Sequence, residues 1–169
     1  MVDFLARRRV ALGLVTAVVT LVLAHPTWAS LGLGFGVALI GEGVRIWAAG
    51  HLEKSREVTR SGPYRWTRHP LYAGSTILAL GVVIAAQSLV AAALATIYMF
   101  ATITAAIRTE EAFLRQAFGD EYDLYRASRA APMPRPFSLA RAMRNREYRA
   151  AIGVLAGFAL LALKLVASI

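Results

Sequence analysis

The chain has 169 residues, of which 57% are hydrophobic and 17% charged, and its mean hydropathy is +0.53. This composition is too apolar for an ordinary soluble domain, so we expect the lipid bilayer to be its main solvent. The absence of cysteine excludes disulfides, zinc–thiolate sites and cysteine nucleophiles. The three histidines lack the spacing of metal ligands, so no metal site is predicted. The formal charge of +9 comes from basic residues that flank apolar runs rather than forming a soluble basic face, so we expect no nucleic-acid partner.

Apolar runs predict five membrane helices, over residues 10–24, 28–50, 71–86, 89–107 and 150–167. Residues 28–50 and 89–107 have the length of a complete span, which needs about 20 residues. The first run is short and follows three arginines, as in a signal peptide, but no convincing small-residue cleavage site comes after it, and we predict a retained helix. The predicted fold is an all-α integral membrane protein with about five transmembrane helices, forming a single domain over residues 1–169.

The basic residues are distributed asymmetrically along the chain. Seventeen of the 19 lysines and arginines fall before residue 10, in 51–70 or in 108–149, and the intervening turns carry none. The positive-inside rule therefore predicts that the N-terminus and both long loops are cytosolic and that the C-terminus is outside. A soluble cofactor would then meet residues 51–70 or 108–149. The alanine- and arginine-rich composition indicates a bacterial inner membrane.

The second long loop begins with an amphipathic pattern over residues 109–127, which predicts two short cytosolic helices that are broken at Gly119 and lie on the membrane face. Three prolines between 132 and 136 then predict an extended segment before the last span. Within the spans, Gly32 with Gly36 and Gly153 with Gly157 form GxxxG pairs, which predict close helix packing.

Residues 61–74 combine cations, aromatic residues and helix punctuation. Pro70 suits the first turn of the helix that starts near Leu71, and this places Arg68 and His69 at a helix N-terminus. Free N–H groups and the helix dipole at that end favour a carboxylate, such as that of an amino-acid-like cofactor. The alternative is a basic interfacial anchor within an aromatic belt.

Two further groups of charges accompany this segment. Glu110 and Glu111 follow Arg108 at the end of the fourth run, where a carboxylate could hold an ammonium or a sulfonium; the alternative is a charge pair on a solvated helix. Glu42 and Arg45 lie one turn apart inside an apolar span, where charges usually face the bundle interior. They either neutralise each other or contribute to a site, which Arg45 could reach from near the cytosolic end.

Two ordered motifs resemble the isoprenylcysteine carboxyl methyltransferase family and the related phospholipid N-methyltransferases. The first motif is Gly62-Pro63-Tyr64 followed by Arg68-His69-Pro70-x-Tyr72-x-Gly74. The second is Glu110-Glu111-x-x-Leu114-x-x-x-Phe118-Gly119-x-x-Tyr122-x-x-Tyr125, with Arg129 and Pro132 beyond. The resemblance covers about residues 40–134. The chain departs from it in a fifth span from about residue 150 and in Arg129-Ala130-Ala131-Pro132, which is longer than the usual Arg-x-Pro.

The resemblance implies a small helical bundle in which S-adenosylmethionine enters from the cytosol and a lipid-like or prenylated acceptor enters from the bilayer. It implies that Glu110 or Glu111 holds the amino group of the cofactor and that Arg68 and Arg108 lie near the reacting groups, where we also place Arg45. The residues expected to border the cofactor are Tyr64, His69, Pro70, Tyr72 and Gly74.

The acceptor atom stays open, with a carboxylate favoured over an amine or a thiol. An acceptor carboxylate is already ionised at neutral pH and needs only orientation, whereas an amine or a thiol must lose a proton, for which Glu110, Glu111 and His69 are candidates. Two other functions are compatible with the composition: an NADPH-dependent membrane reductase of the sterol type, and a non-catalytic small transporter or scaffold. The oligomeric state is not predicted.

Overall fold

A computed structural model of the chain describes the backbone of residues 2–167 and the side chains of residues 11–167. Its regular structure over that range is entirely helical. A short 3₁₀ turn, Gly62–Arg65, precedes the third helix. The six α-helices are α1 (Val2–Leu23), α2 (Trp28–Ala49), α3 (Pro70–Ala86), α4 (Leu89–Arg126), α5 (Leu139–Arg144) and α6 (Tyr148–Ala167).

Three of the described helices, α2, α4 and α6, are long and apolar enough to cross a membrane. Two shorter apolar helices accompany them, Ala11–Leu23 within α1 and the whole of α3. Large apolar side chains such as Leu33, Phe100 and Leu163 point outward from the bundle. A surface of this kind needs lipid rather than water around it, because apolar area in water is unfavourable. The predicted all-α integral membrane fold is confirmed.

The prediction of separate amphipathic helices over residues 109–127 is wrong in its first half, because α4 continues from the apolar run through Phe118 without interruption. No glycine or proline lies between residues 107 and 118, and a helix that has already formed extends by one hydrogen bond for each added residue. The predicted break at Gly119 is confirmed, since this residue has φ of 47° and ψ of −123°. The helix α5, capped by the Ser138 hydroxyl at the Arg141 amide, was not predicted.

Helices α2 and α3 form the closest pair, and glycine makes this possible. A Cβ atom on Gly41 would lie 2.5 Å from the Leu78 nitrogen, and one on Gly74 would lie 2.7 Å from the Gly41 oxygen. By contrast, Cβ atoms on the predicted GxxxG glycines would have no heavy atom within 4 Å among the residues of this chain that the structure describes (Gly32, Gly36, Gly153 and Gly157). The predicted packing by those two pairs is therefore not found within the described chain, and the α2–α3 contact uses other glycines.

The two ends of the bundle differ. At one end, the Lys164 ammonium donates hydrogen bonds to the Leu21 and Val22 carbonyls at 2.8 and 2.7 Å, which satisfies the last turn of α1. At that same end the His25 amide donates to the Ala86 carbonyl. The other end, which we call the polar end, carries residues 50–69 and 127–147.

Ion pairs join the two segments of the polar end. Arg135 binds both carboxylate oxygens of Glu57, at 2.5 and 2.7 Å, and Arg141 Nε donates to Glu53 at 2.8 Å. This hydrogen bond from Arg141 holds the pKa of Glu53 below its usual range. The Asn145 amide donates to the Ala49 and Leu52 carbonyls at 2.8 and 2.9 Å. These contacts hold the proline-rich segment against the first loop.

Candidate functional site

A cavity of about 530 Å³, which we call the main cavity, lies at the polar end. Its walls come from the first loop, from α3 and α4 and from the residues just before α6. A cavity of this size is in the usual range for small-molecule sites. The polar and aromatic side chains on its wall include Tyr64, Arg68, Tyr72, Glu110, Tyr125 and Glu147.

His69 lies where the two sequence motifs meet. Pro70 occupies the first position of α3, so His69 precedes that helix, while the uninterrupted α4 carries Glu110 and Glu111 out of the apolar region towards it. His69 Nε2 lies 3.2 Å from Glu111 Oε1, and His69 Nδ1 lies 3.8 Å from Glu110 Oε2. Arg68 Nη1 lies 3.7 Å from the same Glu111 oxygen. The His69 side chain is only 14% exposed, so its two acidic neighbours fix its orientation.

Tyrosines form the wall between α4 and the 3₁₀ turn. The Tyr125 hydroxyl donates a hydrogen bond of 2.7 Å to the backbone carbonyl of Tyr64. The Tyr64 side chain is buried, and burial raises the pKa of its phenol far above its usual value. Tyr64 therefore stays neutral and can donate a hydrogen bond, but it cannot serve as a base. The Tyr72 ring lies 5.7 Å from the His69 ring, so the aromatic wall continues to the histidine.

Arg45 is engaged behind the main cavity. Its guanidinium lies 2.6 Å from Glu147 Oε1 and 3.5 Å from Glu42 Oε2, and it donates to the Ser75 hydroxyl. Glu147 is buried and lines the main cavity, whereas Arg45 is not part of the cavity wall. Sequence reasoning missed Glu147, because it lies outside both motifs. The one available signal was a lone carboxylate among the basic residues 141–149.

Six of the ten predicted site residues are not on the wall of the main cavity: Arg45, Arg108, His69, Pro70, Gly74 and Glu111. Arg108 is exposed on α4 and makes no ion pair with any residue of the described range. Pro70 and Gly74 are both buried, and Gly74 lies against α2, where a Cβ atom on it would also lie 2.7 Å from Arg45 Cγ. Gly74 therefore allows α3 to approach α2 closely.

A second feature lies further along the same pair of helices. An open apolar groove of about 370 Å³ runs between α3 and α4, lined by Leu80, Val83, Met99, Phe100 and Ile103 among others. It follows directly on the main cavity, because Tyr72 and Ala106 line that cavity, while Thr76 and Ile103, one turn away on the same two helices, line the groove. The groove lies within the apolar part of α3 and α4.

Residues 9–121 match the family model described as phospholipid methyltransferase. The chain belongs to this family. The resemblance expected from the motifs is therefore confirmed, and the matched range includes His69, Glu110 and Glu111.

Several curated proteins are similar to the chain. The cobalt-zinc-cadmium resistance protein CzcN of Cupriavidus metallidurans is 36% identical over 150 residues, which are 79% of this chain and 67% of that protein. The protein-S-isoprenylcysteine O-methyltransferase of Schizosaccharomyces pombe is 33% identical over 81 residues, 48% of this chain and 34% of that protein. A probable protein-S-isoprenylcysteine O-methyltransferase of Oryza sativa is 31% identical over 110 residues, 58% of each chain. No solved structure matches the chain.

Proposed function

We propose that the chain is a membrane methyltransferase that uses S-adenosylmethionine to methylate a lipid-like or prenylated acceptor. We favour a carboxylate as the acceptor group, with an amine or a thiol as the alternatives. The observation that carries this proposal is the meeting of His69 with Glu110 and Glu111 beside the main cavity. Family membership supports the same activity and does not favour either the reductase or the transporter.

The side chains around the main cavity fit the charged ends of an amino-acid-like cofactor. Glu110 is 39% exposed on the wall, and His69 at 3.8 Å leaves room on its carboxylate for an ammonium. The N-terminus of α3, which follows His69 directly, can take the cofactor carboxylate. Tyr64 and Tyr72 supply flat surfaces for the rest of the molecule.

The bound cofactor supplies an electrophilic methyl group on a sulfonium. The protein then has to align the acceptor lone pair with that group and keep water away, and good alignment can contribute about 7–11 kcal/mol. In our proposal His69 and Glu111 contact the bound cofactor. Arg68 orients an acceptor carboxylate, and the exposed Arg108 meets the acceptor as it approaches along α4. Arg45 acts indirectly, because its ion pair holds Glu147 at the wall of the main cavity.

The apolar groove between α3 and α4 supports acceptor entry from the bilayer. An acyl or prenyl tail lying in the groove would place its polar end at the main cavity, because the two spaces follow one another along α4. Burial of each methylene is worth about 0.8 kcal/mol relative to water. Much of this gain is already made in the membrane, so the polar head has to provide the selectivity.

We further propose that the protein lies in a bacterial inner membrane, with the N-terminus and the polar end in the cytosol. The concentration of basic residues at the polar end supports this orientation. The bacterial origin of the similar CzcN protein supports the compartment.

The cofactor is tested by the thermal stability of the purified protein in detergent. A ligand that binds only the folded state raises the melting temperature in proportion to the logarithm of its concentration above Kd. We expect S-adenosylmethionine and its demethylated product to raise it and NADPH to leave it unchanged. A shift with NADPH and none with S-adenosylmethionine would contradict the proposal.

A further inference from the structure

A second cavity, of about 480 Å³, lies at the polar end beside the main cavity and has a basic wall. We call it the basic cavity. Arg60, Arg65, Arg68 and Arg126 line it, and no aspartate or glutamate does. Such a surplus of guanidinium groups in one cavity attracts an anion.

Two of these arginines already have acidic partners outside the basic cavity. Arg60 Nη2 lies 3.2 Å from Glu121, and Arg68 Nη1 lies 3.7 Å from Glu111. Arg65 and Arg126 are exposed and form no ion pair with a residue of the described part of the chain. The basic cavity therefore has positive charge that no acidic group of the described residues neutralises.

Trp66 indicates the depth of the basic cavity in the membrane. It lines the cavity and is 75% exposed, and its ring lies 5.5 Å from that of Trp47 near the end of the α2 span. Tryptophan is enriched at the level of lipid headgroups, where its apolar ring and its N–H group both find suitable surroundings. At this depth the anionic headgroups of the surrounding phospholipids are the nearest source of negative charge.

We propose that the basic cavity binds the phosphate of an anionic phospholipid from the surrounding bilayer. One guanidinium group can donate two parallel hydrogen bonds to a phosphate, and Ser128 contributes a hydroxyl to the wall of the same cavity. The hydrogen bond from Tyr125 to the Tyr64 carbonyl separates this space from the main cavity, so the lipid can be bound without displacing the cofactor. Arg68 lines both cavities and joins the lipid site to the His69 cluster.

The test uses quenching of Trp66 fluorescence by phospholipids with brominated acyl chains. A Trp28→Phe/Trp47→Phe background leaves Trp66 as the one tryptophan of the three. Brominated phosphatidylglycerol and brominated phosphatidylcholine are compared in mixed vesicles. Arg65 and Arg126 carry positive charge that attracts anionic lipid, so we expect a preference of about tenfold for phosphatidylglycerol over phosphatidylcholine.

In the same background, Arg65→Gln/Arg126→Gln should abolish the preference, while Arg65→Lys/Arg126→Lys should keep most of it. The matched control, Arg56→Gln/Arg149→Gln, removes the same charge from exposed positions outside the basic cavity and should keep the preference. Equal quenching by the two lipids, or a preference that survives Arg65→Gln/Arg126→Gln, would overturn the proposal. Loss of the preference in millimolar inorganic phosphate would also overturn it, because the site would then bind a soluble anion.

Discussion

The histidine between two glutamates is the residue-level centre of this site. The residues of this centre can be predicted, because both motifs and their order are visible in the sequence. The distance from His69 to Glu111 cannot be predicted from the motifs, since it depends on α4 continuing as a helix beyond the membrane span. Glu147 was unpredictable for a similar reason, because it reaches Arg45 only after the proline segment has folded over the first loop.

Glu111→Gln tests this centre. The change removes the charge that holds both His69 and Arg68, and a hydrogen bond to a charged group is worth about 1.5–3 kcal/mol, less where the pair is partly exposed. We expect binding of S-adenosylmethionine, measured by calorimetry, to weaken about tenfold. Asp123→Asn is the matched control, because Asp123 pairs with Arg115 on the exposed side of the same helix. Wild-type affinity in a folded Glu111→Gln protein would remove Glu111 from the site.

Gly41→Ala tests the close contact of α2 with α3. The added methyl group would meet the Leu78 and Gly74 backbones, and overpacking of this kind costs about 1–3 kcal/mol. We expect a lower melting temperature in detergent and weaker cofactor binding, because the same contact positions α3. Gly36→Ala on the same helix has free space around the new methyl group and should be neutral. Equal melting temperatures for the two variants would show that the contact is not tight.

At the scale of elements, the helical spans follow from hydrophobicity, but their ends do not. The prediction of α2 and α3 is correct to within a residue or two because Thr27 and Pro70 mark their starts. The C-terminal end of α4 differs from the prediction because amphipathic character does not by itself mark the start of a new helix. No glycine or proline in residues 108–118 ends α4 there. The short helix α5 depends on Asn145 and Arg141 contacts with the first loop, which sequence periodicity does not encode.

The contacts between the two segments of the polar end should stabilise the fold less in acid. Arg141 holds the pKa of Glu53 below its ordinary value, so Glu53 stabilises the fold while ionised and loses this contribution as the pH falls through its folded pKa. Burial, aided by Arg141 and Arg135, lowers the pKa of His51 below 6.5. The unfolded state therefore binds the His51 proton more tightly, and stability falls as the pH drops below 6.5. We expect the melting temperature to decrease from pH 7.5 to pH 5.

The control for this pH dependence is His51→Gln, which should flatten the profile between pH 6.5 and 5 and leave the further loss caused by Glu53. A wild-type melting temperature that stays constant or rises between pH 7.5 and 5 would contradict the assignment to His51. A His51→Gln melting temperature that does not fall below pH 5 would contradict the assignment to Glu53.

At the scale of the whole molecule, the orientation in the membrane stays a prediction from charge, and the helix arrangement brings the basic loops to one end of the bundle. The N-terminal ends of α3 and α6 and the C-terminal end of α4 all meet at the polar end, so one face of the bundle carries both long loops. The single-domain organisation over residues 1–169 stays a prediction.

A reporter fused after Ile169 tests the orientation. We expect a periplasmic reporter such as alkaline phosphatase to be active there and a cytosolic fluorescent reporter to be dark, because α6 starts at the polar end and runs away from it. The reverse pattern would place the polar end outside the cell, away from any cytosolic cofactor.

The central claim is methyl transfer to an acceptor that arrives from the bilayer, and an acceptor series with radiolabelled S-adenosylmethionine tests it most directly. Long-chain thioether carboxylates, aminolipids and thiols are compared with their short water-soluble analogues in one detergent, and kcat/KM is measured for each. We predict labelled product from at least one long-chain acceptor, with a higher kcat/KM than its short analogue, because the groove between α3 and α4 can hold the tail. Equal or better methylation of the short analogue would contradict lateral entry, and the absence of labelled product from every acceptor would contradict the proposed activity.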